Sequence, residues 1–423
     1  MLEKFDTDIL VIGAGPAGLA AACCAAESGR RVIVLDDNLD AGGNIWRGEA
    51  AQPKTTRAKA WFARVRQAQL EIHSGTRVFQ QPAPACLLAE TQAGVREYRY
   101  RKLILATGAR ERFLPFPGWT LPNVMGAGAL QALVKNGLPI AGKRVVVAGS
   151  GPLLFAVAAY LKQQGAKILV IAEQAARAQL LPFATALLGS PTKIAQGLKL
   201  KAELAFVPYR TSCWPVEASG DERLQRVQMQ CGSRTLAYDC DYLACGFHLV
   251  PNLELAELLG CTVNNSRVTV NEWQQASMTE VYAAGEITGI GGLELSLAEG
   301  QIAGYAAADQ LASARRLLAE RAKQQRFGDT LNRTFALRDE LRRLPQADTL
   351  ACRCEDVTFE RLRQQSDWRS AKLHTRCGMG ACQGRICGAG IEFLLGWGAS
   401  SIRPPVFPVR VESLMEGSGT EGE

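Results

Sequence analysis

Five cysteines gather near the end of the chain: Cys352 and Cys354 in "CRCE", then Cys377, Cys382 and Cys387 in "RCGMGACQGRICG". Thiolates this close together on glycine turns can point at one centre while backbone N–H groups face the sulfurs, which is the chemistry of a metal–thiolate site. A structural zinc site favours CxxC knuckles, and a redox disulfide prefers the same spacing; neither spacing occurs in this segment. An iron–sulfur centre of the [2Fe–2S] type is the leading reading, with zinc and a disulfide as its alternatives.

The opposite end of the chain carries different chemistry. The apolar run "DILVI" leads into Gly13-x-Gly15-x-x-Gly18 and the small-residue stretch "LAAACCAAESG"; a second apolar run, "VIVLD", ends at Asp36. Strand, glycine turn, helix and strand in that order are what a dinucleotide-binding fold requires. Gly13 allows the tight turn, Gly15 lets the backbone meet a pyrophosphate, and Gly18 lets the helix lie on the strand, with Ala17 beside it. The helix N-terminus then faces the phosphates, and Asp36 is placed for the adenosine ribose. Cys23 and Cys24, set among alanines, read as small core residues. Three later segments complete the pattern: "AGG" with Gly42 and Gly43 followed by Asn44 and Trp46, "KLILATGAR" with Ala106, Thr107 and Gly108, and "EVYAAGEITG" with Gly285 and Glu286. Together they resemble the flavoproteins built from two dinucleotide-binding domains. In those, FAD lies along the first fold and the late segment closes over its ribityl phosphate; Glu286 stands where they usually carry an aspartate.

The pattern repeats in "KRVVVAGSGPLLFAVAAYLKQQGAKILVIAE", with Gly149, Gly151 and, at the end of the next strand, Glu173. Its third glycine position is Leu154. A leucine there is expected to lift the helix from the strand and narrow the approach to a pyrophosphate. The second fold is therefore expected not to serve NAD(P)H, and to hold an adenine nucleotide statically or nothing.

Composition bounds the remaining possibilities. With 423 residues the chain is too long for one core, and 47% hydrophobic against 21% charged content is that of an ordinary globular protein. A net charge of +7, with no basic run, gives nucleic-acid binding no support. The sequence shows neither a signal peptide nor a long apolar span, so a cytoplasmic location is expected and most of the thirteen cysteines should be buried thiols. Only three histidines occur, His73, His248 and His374, none in a motif suited to general-base work. The fold class expected is α/β, two Rossmann-like domains of the two-domain flavoprotein type plus a small C-terminal helical [2Fe–2S] domain. The expected division is 1–112 with 246–312 as the FAD domain, 113–245 as the degenerate second domain, 313–348 as a helical linker, 349–400 as the cluster domain and 401–423 as a tail. Within that tail, "RPPVFPVRV" could either dock on a neighbouring chain or pack on its own flavin domain.

The cysteine segment resembles the domain related to bacterioferritin-associated ferredoxin. It follows the flavin folds in the alpha subunits of opine oxidase, of hydroxyproline and proline dehydrogenases, and of hydrogen cyanide synthase, and the likeness covers nearly the whole chain. That resemblance implies a C-x-C and C-x4-C ligand set, which falls on Cys352, Cys354, Cys382 and Cys387, with Cys377 beside the cluster. It also implies an FAD- and cluster-bearing chain that works with a partner flavoprotein (beta) subunit, together with a small ferredoxin-like subunit, on an amino acid, imino acid or opine. The alternative is a self-contained NAD(P)H-dependent flavoprotein reductase with an iron–sulfur relay. No catalytic residue is assigned.

Overall fold

A computed structural model describes residues 2–188, 191–398 and 402–418. It divides into two units: Met1–Arg110, Pro251–Gly328 and Ser401–Glu423 form the first, and Glu111–Val250 with Asp329–Ser400 form the second. Residues 329–400, which hold the cysteine segment, group with the second unit, and the segment from 401 onward groups with the first.

The first unit is built on a sheet whose central strands are parallel: Glu71–His73, Val32–Leu35, Glu3–Ile12, Gly94–Leu105 and Val281–Ala283, in that order across the sheet. Strands Cys86–Thr91 and Arg77–Ala83 extend it antiparallel. The register decides where the chemistry falls. Ile12 pairs with both Leu35 and Leu105, and Leu105 pairs with Ala283. All four strands therefore end at one level, and Gly13, Asp36, Ala106 and Gly285 leave the sheet along a single carboxyl edge, where open α/β sheets bind ligands.

Helix Pro16–Glu27 follows the first strand, with Gly15 as N-cap and Pro16 as its first residue, a position where the missing N–H costs nothing. All of its alanines but Ala26, and both cysteines, are buried, as small core residues should be. It packs on helix Leu293–Ala307 at unusually short range. A Cβ on Gly300 or Gly304 would come within 2.2 Å of the carbonyl oxygen of Ala17 or Ala21. The tail belongs to this unit: Val406 N–H donates to the Phe79 carbonyl (2.8 Å), and Arg410 pairs with Glu90. Of the two readings of "RPPVFPVRV", the structure supports packing on its own unit.

The second unit repeats the parallel design with strands Tyr209–Arg210, Lys167–Glu173, Arg144–Ser150, Tyr242–Phe247 and Val124–Met125. Its helix Leu153–Gln163 takes Pro152 as N-cap, one residue beyond the second glycine, and Leu154 is buried between helix and sheet. Beside it, Cys213–Ser219, Arg226–Cys231 and Arg234–Asp239 form an antiparallel three-stranded sheet. Cys213 and Cys231 stand opposite each other in its register and are joined as a disulfide, so two cysteines depart from the expectation of buried thiols. No described helix is long and apolar enough to cross a membrane.

The helix contact gives a test in which two effects oppose. Gly304→Ala gains ~0.5–1 kcal/mol of helix propensity but forces a backbone contact whose relief costs ~1–3 kcal/mol. The variant should therefore melt several degrees lower than the parent by circular dichroism; a higher melting temperature would show that the helices can separate freely.

Candidate functional site

At the carboxyl edge of the first unit, backbone meets backbone. A Cβ on Gly13 would lie 2.3 Å from the Ala106 carbonyl, one on Gly18 would lie 1.8 Å from the Gly13 carbonyl, and one on Gly43 would lie 2.9 Å from Gly15 Cα. Gly42 N–H donates to the Ala14 carbonyl (2.8 Å), which fastens the double-glycine loop over the first turn. The result is a cradle of glycine backbone at a helix N-terminus, suited to a pyrophosphate. Asp36 is buried; its carboxylate accepts from Ala14 N (2.5 Å) and Asn38 N (2.8 Å), and burial pushes its pKa up. Asn44 donates to the Ala109 carbonyl (3.3 Å), whereas Trp46 is buried against Phe62 and serves packing.

Two residues overlooked in the sequence hold this edge in shape. Asn252 donates to the Thr107 carbonyl (2.8 Å), receives the Thr107 hydroxyl on its own carbonyl (2.7 Å), and sends its N–H to the Gly108 carbonyl (3.0 Å). Glu299, fully buried, accepts from Gly285 N (3.0 Å) and from the Thr288 hydroxyl (2.7 Å), which fixes the turn that carries Glu286. The only sequence signal for Asn252 is its place at the end of "DYLACGFHLVPN"; nothing local marks Glu299.

Glu286 is the most informative side chain at this edge. One carboxylate oxygen accepts from Gly292 N (2.9 Å), while the other is buried without a partner, and burial pushes the pKa up to about 7. A buried acceptor left open is costly unless a ligand donates to it, and the hydroxyls of a ribityl chain are such donors. The glycine cradle, Asp36 and this open oxygen fit FAD.

In the second unit, Gly149 packs its backbone on Gly246, and the Glu173 carboxylate accepts from Gly151 N (2.7 Å) and Ala175 N (2.9 Å). Burial pushes Glu173 up to about 7. The neighbouring polar groups are engaged by the chain itself: Ser150 Oγ donates to the Phe335 carbonyl (2.9 Å), and Gln174 Nε2 donates to Ser150 Oγ (3.0 Å) and the Ala336 carbonyl (3.1 Å). The segment leading to the cysteines is thereby anchored on the second glycine loop.

The cysteines themselves arise from four short elements. Cys352 ends strand Leu350–Cys352, which pairs with Val357–Thr358 across a turn that carries Cys354. Thr358 caps helix Phe359–Arg363, its hydroxyl accepting from Arg361 N. Helix Trp368–Thr375 stops at Arg376 in the left-handed region and delivers Cys377; Cys387 opens helix Cys387–Leu395. The sulfurs form two groups. Those of Cys352, Cys377 and Cys387 are buried and lie within 4.8 Å of one another, and those of Cys354 and Cys382 are 3.8 Å apart. Gly380 must stay small, since a Cβ there would come 2.5 Å from Cys354 Cβ. Hydrogen bonds from the Cys377 and Cys387 thiols pull Cys352 down to about 2, and the same contact pushes Cys377 up to about 12. The same contacts push Cys387 up as well, so a single thiolate is favoured among the three.

The segment is tied to its unit by Trp119, whose Nε1 donates to the Leu350 carbonyl (2.5 Å) beneath the Arg353 guanidinium, and by Gly390, packed on the Phe113 carbonyl. None of the three histidines takes a general-base arrangement: His73 bonds Tyr98 (2.7 Å) and Glu71 (3.0 Å), burial lowers the pKa of His248, and His374 is exposed in the last turn of the helix that delivers Cys377.

Two Rossmann-like folds with a glycine-cradled edge define an FAD/NAD-type oxidoreductase. The chain belongs to the pyridine nucleotide-disulphide oxidoreductase family, whose pattern matches residues 7–319. It is similar to the hydrogen cyanide synthase subunit HcnB of Pseudomonas protegens, 32% identical with 89% of each chain covered. It is likewise similar to an opine oxidase subunit of Rhizobium meliloti, 31% identical over 95% of this chain and 97% of that one. Among solved structures, the L-proline dehydrogenase of P. horikoshii shares the fold with a TM-score of 0.67 at 18% identity, covering 98% of this chain and 80% of that one.

Removing the open carboxylate should weaken flavin binding. A charged hydrogen bond contributes ~1.5–3 kcal/mol, so Glu286→Ala should raise the FAD dissociation constant roughly ten- to a hundredfold, read by flavin fluorescence during reconstitution. Glu173 gives a pH test. Its folded pKa of about 7 exceeds the ordinary value of 4.5, so the folded state holds more protons between those limits and stability falls as pH rises through that window. Urea midpoints should drop by the equivalent of ~1–3 kcal/mol from pH 5 to 7.5, and Glu173→Gln should flatten the slope, with the other carboxylates that burial pushes up, Glu286, Asp36, Glu111 and Glu299, contributing to the remainder.

Proposed function

We propose that this chain is the FAD- and [2Fe–2S]-bearing component of a heteromeric, dye-linked dehydrogenase. It acts in the cytoplasm with two further chains, a partner flavoprotein and a small ferredoxin-like protein, and the complex oxidises an amino acid, imino acid or opine at a CH–NH bond. The observation that carries this reading is the division of the sulfurs into a 3.8 Å pair beside a buried trio, in the same chain as a flavin-type cradle. Two irons bridged by sulfide need two thiolates each, and two adjacent sulfur groups meet that requirement where a tetrahedral zinc site would need one. The proposed ligands are Cys352, Cys354, Cys382 and Cys387. The FAD contacts are Gly13, Gly15, Ala17, Gly18, Asp36, Gly42, Gly43, Asn44, Ala106, Thr107, Gly108, Gly285 and Glu286. Gly149, Gly151 and Glu173 are left to a static adenine nucleotide or to none.

The relatives at 31–32% identity are named as subunits, and similarity runs nearly end to end. When bound, FAD supplies two-electron oxidation and one-electron release. This chain's residues hold it and shape its ribityl and phosphate contacts, and its three histidines form no general-base arrangement, which suits a chain that relays electrons while a partner oxidises the substrate.

The purified chain should carry about two irons and two sulfides per flavin. Cys382→Ser should lose them and Cys377→Ala should keep them. The isolated chain should reduce no dye with D-hydroxyproline, proline, glycine or opines, and activity should appear on co-expression with the partner flavoprotein. Rapid anaerobic bleaching of the flavin by NADH or NADPH would instead favour the self-contained reductase.

A further inference from the structure

Trp368 lies under the cysteine loop. It opens the helix Trp368–Thr375, where the Asp367 carboxylate caps the helix by accepting from Ser370 N (2.8 Å). The indole is 5% exposed and shares one apolar cluster with Cys352, Cys377 and Cys387. The loop rests on the edge of its six-membered ring: a Cβ on Gly378 would lie 2.8 Å from Trp368 Cζ2, and one on Gly384 would lie 3.2 Å from the same atom. Both glycines take left-handed backbone, at φ of 76° and 79°, so the loop folds flat onto the ring at the two positions that flank Cys382. In the indole, Nε1 is attached to the carbon next to Cζ2, so its N–H emerges beside that same edge.

That N–H is buried and has no hydrogen-bond partner among the described residues. Buried indole N–H groups ordinarily find one, because an unmade bond leaves the full desolvation cost of the donor uncompensated. Trp119, at the other side of the same segment, follows the rule by donating to the Leu350 carbonyl. An acceptor for Trp368 is therefore expected from outside the polypeptide, and the chemistry next to the ring is sulfur. Cysteinyl and bridging sulfurs of an anionic cluster are acceptors, and the Lys372 ammonium, 5.7 Å from the ring centroid, adds positive charge on the same side chain.

We propose that the Trp368 Nε1–H is a hydrogen-bond donor to a sulfur of the iron–sulfur centre and that it sets the reduction potential of that centre. This rests on the [2Fe–2S] reading above. Reduction adds negative charge to the sulfurs, so a donor stabilises the reduced form more than the oxidised form and raises the midpoint.

The test uses the full chain with its cluster. In Trp368→Phe, which keeps an aromatic platform and removes the N–H, the reduced-to-oxidised ratio at fixed potential should fall about tenfold, a midpoint shift of about −59 mV for one electron. Trp397→Phe, at the rim of the same apolar cluster, should leave the midpoint in place. The unsubstituted chain, labelled with ¹⁵N at its indoles, should show a nitrogen coupled to the reduced cluster in pulsed electron paramagnetic resonance, and this coupling should survive Trp397→Phe. If Trp368→Phe fails to retain its cluster, the labelling measurement decides alone. A cluster present but without indole coupling, or with an unmoved midpoint in Trp368→Phe, overturns the proposal. Absence of iron and sulfide from the unsubstituted chain would overturn the cluster reading itself.

Discussion

The first unit depends on the close approach of main chain to main chain along one sheet edge. Gly18 lies on the Gly13 carbonyl, Gly13 on the Ala106 carbonyl, and Gly43 on Gly15, each so near that a single methyl group would collide. These contacts bring the start of helix Pro16–Glu27 to the level where the strands end, so its free N–H groups and the positive end of its dipole face whatever lies at the edge. The same economy of side chains continues behind the site, where Gly300 and Gly304 let helix Leu293–Ala307 rest on Ala17 and Ala21. Glu299, from that same helix, then reaches the turn that presents Glu286. The ligand edge is thus held by a stack of small residues and one buried carboxylate.

The second unit applies the same plan to another end. Its helix starts one residue later, behind Pro152, and Leu154 fills the interface that Gly18 leaves bare in the first unit. Ser150 and Gln174 hold the backbone of Phe335 and Ala336. The loop that faces a ligand in the first unit here grips the chain running to the cysteines. Arg338 extends the grip, donating to Ser212 Oγ (3.2 Å) and lying over Trp214 next to the Cys213–Cys231 disulfide. The cysteine segment is therefore fixed at both ends of its approach, by the glycine loop and by Trp119.

Local sequence made the glycine turns, the strands before them, the carboxylates at the strand ends and the cysteine-rich segment legible, because each is a short-range pattern with its own backbone demand. What escaped is non-local. Glu299 and Asn252 look like ordinary helix and loop residues until the fold sets them against Gly285 and Thr107. Gly300 and Gly304 read as weak points of a helix, and only the second helix explains them. The Cys213–Cys231 pair depends on strand register, which alternation does not fix without a partner strand. The tail's place on Phe79 and Glu90 rests on contacts between residues more than three hundred positions apart.

Cys377 shows how geometry and charge separate. Distance alone would admit it to a ligand set, since its sulfur lies in the buried trio with Cys352 and Cys387. Charge sets Cys352 apart from the other two. A buried thiolate is costly, and each further one beside it costs more. Cys352 is the point where negative charge settles, and the Cys377 and Cys387 thiols both donate to it, which is why the one is pulled down while the other two are pushed up. A thiol in that role neutralises part of the charge without adding to it. In the proposed ligand set Cys387 binds iron, and the Cys377 thiol is left to do for a cysteinyl sulfur what Trp368 is proposed to do from beneath the loop: both offer a proton to sulfur inside one apolar cluster.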